Sequence, residues 1–158
     1  MHIMQEGVAK NICLFGPQGS GKGTQAQRVS EWLGVPHISP GNIFRKAVAD
    51  GSPLGKQVEA IITAGHLVPN DVTNALMRER LELEDCLMGF ILDGYPRNDH
   101  QAGALDSMTS LTHVFVIDLS DEETIHRISG RRVCLACGAT YHMLSKPSMQ
   151  VNVCDNCG

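Results

Sequence analysis

Asn11–Phe15 reads NICLF and runs directly into GPQGSGKGT, Gly16–Thr24. An apolar run that stops at glycines and resumes with the helical spacing of Gln25–Leu33 reads as strand, turn and helix. Gly16, Gly19, Gly21 and Gly23 surround Lys22, so the backbone reaches conformations closed to residues with side chains and can turn successive amides inward. Such a turn cradles phosphate. The following helix adds its N-terminal partial positive charge, and Lys22 adds a full charge for the β and γ phosphates of a nucleoside triphosphate. The spacing fits the phosphate-loop pattern except at its last place, where Gly23 stands and the hydroxyl arrives one residue later as Thr24. The competing reading is a flexible connection; the strand before and the helix after favour the cradle.

Working outward, Val35–Ser39, Phe90–Leu92 and Val114–Ile117 are further short apolar runs. Between them, helices are expected at about 42–50 and 54–64 and over Val72–Leu83, the last with Asn70 as its cap. Unbroken apolar strands separated by helices predict an α/β fold, a parallel sheet covered by helices on both faces. Ser120 followed by Glu123 predicts a capping box that opens a helix turning Ile125 and Ile128 inward. If that helix runs on to Arg131, Arg127 and Arg131 share a face and reach one ligand.

The 158 residues carry 13 Lys plus Arg against 17 Asp plus Glu, a formal charge of −4. That balance argues against coating nucleic acid or anionic membrane through bulk charge, so an anionic ligand must be held locally. The longest apolar stretch, Cys86–Leu92, falls far short of the ~20 residues a membrane span needs. The start, MHIMQEGVAK, lacks the basic head and apolar run of a secretory signal, and a cytoplasmic location is expected.

In a reducing compartment six cysteines suggest metal or chemistry before disulfides. Cys134 and Cys137 are separated by two residues, as are Cys154 and Cys157, with 16 residues between the pairs, a zinc signature. Four thiolates close a tetrahedral shell, so this Zn²⁺ is expected to be structural; four unligated thiols or disulfides are the alternative. From Val133 onward there are too few apolar residues for a separate core, so the segment needs such a staple. Cys13 and Cys86 read as buried apolar residues. His2, His37, His100, His113, His126 and His142 form no ligand spacing.

GPQGSGKGTQA, DGYPR at Asp93–Arg97, Gln101 and GRR at Gly130–Arg132 together resemble the adenylate kinases, nucleoside monophosphate kinases that interconvert ATP, AMP and ADP. The order and spacing of the motifs carry the resemblance, which runs from about Asn11 to the last residue. It implies a phosphate-loop core at 1–38 and 69–129, a monophosphate-binding insertion at 39–68 and a zinc lid at 130–158. It also implies a monomer, and reversible in-line phosphoryl transfer from MgATP to AMP. ATP is then held by Gly19, Ser20, Gly21, Lys22, Gly23 and Thr24, by Arg127 and Arg131, and by Thr140 and Tyr141 in the lid. AMP falls to Pro40, Arg45, His66, Leu67, Val68, Gly94, Tyr95, Pro96, Arg97 and Gln101, with His66 lending only backbone.

The chemistry agrees with these roles. Arginine presents a planar fork to phosphate oxygens, and a glutamine amide offers the donor and acceptor an adenine edge requires. Asp93 ends an apolar strand, where its carboxylate can hold the water shell of Mg²⁺, or else cap a turn. The attacking phosphate is already anionic, so Lys22, Arg97, Arg131 and Mg²⁺ act by position and charge. Arg28, Arg78 and Arg80 are expected to be solvated surface charges.

Departures from the family qualify the reading. Pro40, Gly41 and Asn42 replace the usual Thr-Gly-Asp, which removes a polar contact and a negative charge and predicts weaker AMP binding. Asn98 resembles the pyrimidine monophosphate kinases, which keeps UMP and CMP as alternative substrates, although Gln101 favours adenine. The chain ends at Gly158, one residue past the fourth cysteine, where the resemblance implies further catalytic arginines, a last strand and more helices. A nucleotide-binding fragment of little activity, with apolar surface that encourages association, is therefore the alternative expectation. A zinc-ribbon module that binds nucleic acid ranks last, because Lys146 is the only basic residue between Cys134 and Cys157.

Overall fold

The apolar run of the opening motif is the axis of a parallel sheet. In the computed structural model, which describes residues 9–158, β1 (Lys10–Phe15) pairs in parallel with β3 (Gly89–Asp93) on one side and β4 (His113–Val116) on the other. β2 (His37–Ile38) adds to the far edge of β3, giving the order β2-β3-β1-β4. His2 and most of the start read for a leader lie outside the described residues. Two compact units divide the chain. The first holds the residues up to Phe15 together with Lys22–Val116, and the second holds Gly16–Gly21 and Ile117–Gly158.

In the first unit, pleating splits the apolar strand residues between two faces. Ile12, Leu14 and Ile91 pack with Ala26, Val29 and Leu33 of α1 (Lys22–Leu33). On the opposite face, Cys13, Phe90 and Leu92 meet Met77 of α4 (Asn70–Leu81) and Leu105 of α5 (Asp99–Met108). Ile91 and Leu92 are fully buried, and each such side chain contributes about 1.5–3 kcal/mol. The coverage stops at β4, an edge strand whose Val114, Phe115 and Val116 remain 53, 50 and 71 % exposed.

The paired helices α2 (Pro40–Ala49) and α3 (Pro53–Thr63) begin earlier than periodicity suggests, because each opens on a proline at its first helical position behind a serine cap. Ser39 Oγ accepts from the Asn42 amide and Ser52 Oγ from the Gly55 amide. The pair packs backbone to backbone: a Cβ on Gly55 would lie 1.9 Å from the Ala47 carbonyl oxygen.

Two expectations fail in this unit. Asn70 is the first residue of α4 rather than its cap; Pro69 occupies the cap position, and no side chain caps there. Asn70 Oδ1 instead accepts from Asn98 Nδ2 and Gln101 Nε2. Arg80 is no solvated charge either, since it grips Asp85 through two hydrogen bonds of 2.7 Å and points Nη1 at Cys86 Sγ, 3.2 Å away.

The second unit contains α6 (Asp121–Ser129) and an antiparallel hairpin of β5 (Arg131–Val133) and β6 (Thr140–His142). Ser120 caps α6 by accepting from the Glu123 amide, but the box closes only on that side. The Glu123 carboxylate turns to Arg127 instead, 2.6 Å from its Nε. Ile125 and Ile128 are 68 and 38 % exposed, not inward as expected. The helix stops at Ser129 with Gly130 as its cap, so Arg131 starts a strand and does not share a helical face with Arg127. Among the described residues no helix is long and apolar enough to cross a membrane.

Candidate functional site

Residues 16–21 form a cradle that only glycine permits at its narrowest points. Gly16, Gly19 and Gly21 have φ of +146°, +84° and +89°. A Cβ on Gly16 would lie 2.4 Å from the Ile117 carbonyl oxygen and 3.1 Å from Ser20 Oγ. One on Gly19 would press Ile128 at 3.2 Å. Ser20 is buried, yet its hydroxyl finds no hydrogen-bond partner among the described residues. A buried hydroxyl without a partner in a turn of glycines fits an anionic guest. Arg131 Nε is likewise buried without a partner, while Arg127 is tied to Glu123.

In the first unit, α1 opens at Lys22, and Gly23 faces the end of β3. A Cβ at Gly23 would approach Asp93 Oδ2 to 3.2 Å. A side chain there would displace the carboxylate only slightly, and Thr24 is exposed one place on. His37 Nε2 lies 3.5 Å from the same Asp93 oxygen. Asp93 is half-buried at 17 % exposure, and the first turn of α1 brings partial positive charge to it.

Cys13, beneath this corner, donates to the Tyr95 carbonyl at 3.3 Å. Burial first, and then the Asp93 charge, pushes its thiol up to about 12. Cys86 is also raised by burial. Both are buried as expected, although Cys86 also meets the Arg80 guanidinium.

The segment expected to hold a monophosphate has its polar groups ordered by neighbours. Gly94 takes φ +72°, Tyr95 is fully buried with its hydroxyl donating to Asn74 Oδ1 at 2.8 Å, and the Tyr95–Pro96 peptide is cis. Arg97 is exposed, and its Nε returns to the Gly94 carbonyl at 2.7 Å. Gln101 is buried at 6 % exposure. Its Oε1 accepts from the Arg97 amide at 2.8 Å and its Nε2 donates to Asn70 at 2.9 Å. One acceptor lone pair and one N–H remain on that carboxamide.

On α2, Pro40 is buried at the helix start, and Arg45 donates from Nη2 to Asn42 Oδ1. His66 and Leu67 are exposed, Leu67 at 89 %, and Val68 is half-buried. The Asn70–Gln101–Asn98 cluster escaped the sequence reading. Asn98 as a cap ahead of α5 was its one available signal, and the Gln101 bond to Asn70 spans 31 positions.

The four lid cysteines converge as their spacing predicts. All four Sγ atoms lie within 4.8 Å of one another, with Cys134–Cys157 and Cys137–Cys154 at 3.6 Å. Zinc–sulfur bonds of about 2.3 Å at tetrahedral angles place sulfurs about 3.8 Å apart, so the donor set and its size fit Zn²⁺. The six cysteines are all free of disulfides. Tyr141 O–H, ahead of the Asn156 amide, pulls Cys154 down to about 6, and the Asn156 side chain lowers Cys137. Hydrogen bonding among the thiols, Cys134 first, pushes Cys157 up to about 12. Thr140 and Tyr141 lie on β6, with the Tyr141 ring turned to this cluster and its hydroxyl 3.3 Å from Cys154 Sγ.

A parallel sheet whose first strand leads through a glycine cradle into a helix opened by lysine belongs to the phosphate-loop class of α/β proteins. Comparison with known proteins narrows this. The family model described as adenylate kinase matches residues 14–156. An adenylate kinase of Symbiobacterium thermophilum is 50 % identical over 153 residues, covering 94 % of this chain and 71 % of the relative. One of Fervidobacterium nodosum is 47 % identical, over 94 and 70 % of the two chains. One of a Geobacillus species is 44 % identical, over 94 and 71 %. The chain belongs to the adenylate kinase family.

Proposed function

We propose that this chain is a phosphotransferase that moves the terminal phosphoryl group of ATP to AMP, giving two ADP. Family membership supports the reaction, and the glycine cradle around the unpartnered Ser20 hydroxyl is the observation that carries the reading to this chain.

In this reading the amides of residues 19–24 and Lys22 hold the ATP phosphates, and Arg127, Arg131, Thr140 and Tyr141 are ATP-binding residues as well. Mg²⁺ bound with ATP supplies charge neutralisation to the transferring group, and Asp93 holds its water shell. Arg45 and Arg97 bind the AMP phosphate, and the Gly94–Pro96 turn shapes the space around it. Pro40, the backbone of His66, Leu67 and Val68 flank the nucleoside, and Gln101 reads the adenine edge with its two remaining hydrogen-bonding positions. No residue has to act as a base, because the acceptor phosphate is already charged; alignment and charge stabilisation lower the barrier. Cys134, Cys137, Cys154 and Cys157 hold a structural Zn²⁺, whose closed shell leaves no place for substrate.

Nucleotide binding with little turnover is the second reading. It is favoured by the apolar surface left uncovered on β4 and α6, where Val116 is 71 % and Ile125 68 % exposed. A coupled assay for ADP, run with AMP, UMP and CMP in parallel beside a zinc determination, decides among the readings. ADP formation with AMP alone is expected. Tight ATP binding without ADP supports the second reading, and preference for UMP or CMP replaces the acceptor.

A further inference from the structure

We propose that Tyr141 is a positioning residue of the metal centre, its hydroxyl fixing the Cys154 sulfur from outside the coordination shell. The inference rests on the reading of the four cysteines as a zinc site and goes beyond it. Tyr141 lies 13 residues before Cys154, on the strand that follows the Cys134–Cys137 knuckle. The fold sets its hydroxyl 3.3 Å from Cys154 Sγ. The Asp155 amide donates to the same hydroxyl oxygen at 2.8 Å. That bond fills an acceptor position and leaves the hydroxyl proton for sulfur, and a thiolate bound to metal has no proton of its own to give. The direction is therefore fixed: Asp155 N–H to Tyr141 oxygen, Tyr141 O–H to Cys154 sulfur.

Four thiolates around one divalent cation leave a net double negative charge, which donors to sulfur disperse. Tyr141 supplies a side-chain donor from β6. Lys146 Nζ lies 5.9 Å over its ring. Tyr141 pairs with Arg132 across the β5–β6 hairpin, so the bond ties the metal centre to that hairpin and to the strand that Arg131 begins. Metal loading and order in the hairpin are coupled through one phenol.

The test compares the whole chain with Tyr141→Phe, which keeps the ring and removes only the hydroxyl. Zinc affinity is read by competition with a chromophoric chelator, and the sulfur-to-metal absorption band is read after loading with cobalt(II). Loss of an outer partner of this kind costs about 10- to 100-fold in metal affinity, so Tyr141→Phe is expected to bind zinc that much more weakly and to shift the cobalt band. Equal affinity and an unshifted band, with the parent binding tightly, overturn the role of Tyr141 and leave the metal reading intact. A parent chain that takes up no zinc overturns both.

Should the variant fail to fold, the parent labelled with 3-fluorotyrosine decides. It has two tyrosines, Tyr95 and Tyr141. One fluorine resonance is expected to move in step with added zinc, and two stationary resonances overturn the proposal.

Discussion

Replacing Gly16 by alanine tests the cradle at its tightest point. The new methyl group would sit 2.4 Å from the Ile117 carbonyl oxygen, at a φ of +146° that alanine rarely adopts. Ordinary non-bonded contact begins at about 3.4 Å, so roughly 1 Å must come from backbone on one side or the other. Gly21→Ala is the matched control, because Gly21 also has positive φ, +89°, but nothing lies within 4 Å of its Cβ position.

Both variants carry the backbone strain of a left-handed residue, about 1–3 kcal/mol. Gly16→Ala alone carries the overlap, about 1–3 kcal/mol more. For a chain of this size each kcal/mol lowers Tm by about 2–4 °C. Gly16→Ala should therefore melt several degrees below Gly21→Ala in thermal unfolding followed by circular dichroism. Displacing the Gly16 peptide also tilts the amides that follow. ATP affinity in an equilibrium titration with Mg²⁺ should fall at least about tenfold, or about 1.4 kcal/mol. If Gly16→Ala melts at or above its control and binds ATP like the parent, the cradle is not the rigid, glycine-dependent element described here.

Asn70→Leu should raise the KM for AMP about fivefold or more with little change in kcat, because it strips Gln101 of the acceptor that orients its amide; Asn70→Asp, which keeps an acceptor, should stay near the parent in steady-state kinetics. Gly55→Ala should lower Tm markedly, since its methyl group would lie 1.9 Å from the Ala47 oxygen in the α2–α3 pair. The Arg80 hydrogen bond holds the Asp85 carboxyl below its ordinary range against the opposing effect of burial. A folded-state pKa below the unfolded value of about 3.9 means the pair stabilises fully above that pH and loses its contribution as pH falls through the folded value. Asp85→Asn should thus lower Tm at neutral pH and flatten the Tm profile below about pH 4.

The strands of the parallel sheet were legible because they fall in short apolar runs, and their parallel pairing followed from the helices between them, whereas the β5–β6 hairpin, whose RRV and TYH are not apolar runs, was not. The cradle and the cysteine knuckles were legible because their chemistry depends on local spacing. What escaped depends on contacts between distant positions. Asn70 has the residue type of a cap, but two amides across the fold, on Asn98 and Gln101, claim its oxygen. Periodicity turns Ile125 and Ile128 to one side of α6, yet it does not say what covers that side. Arg127 and Arg131 are four apart in sequence, and Gly130 between them changes the secondary structure. Arg80 reads as a surface charge until Asp85 and Cys86 are brought beside it by a turn of 3-10 helix.

The two sequestered thiols have a practical consequence. With Cys13 wholly buried and Cys86 7 % exposed, an alkylating reagent at neutral pH meets only the four sulfurs of the lid. Maleimide uptake by the native chain therefore becomes a gauge of loading: none when the ion is seated, four equivalents once a chelator has stripped it, and all six only after denaturation.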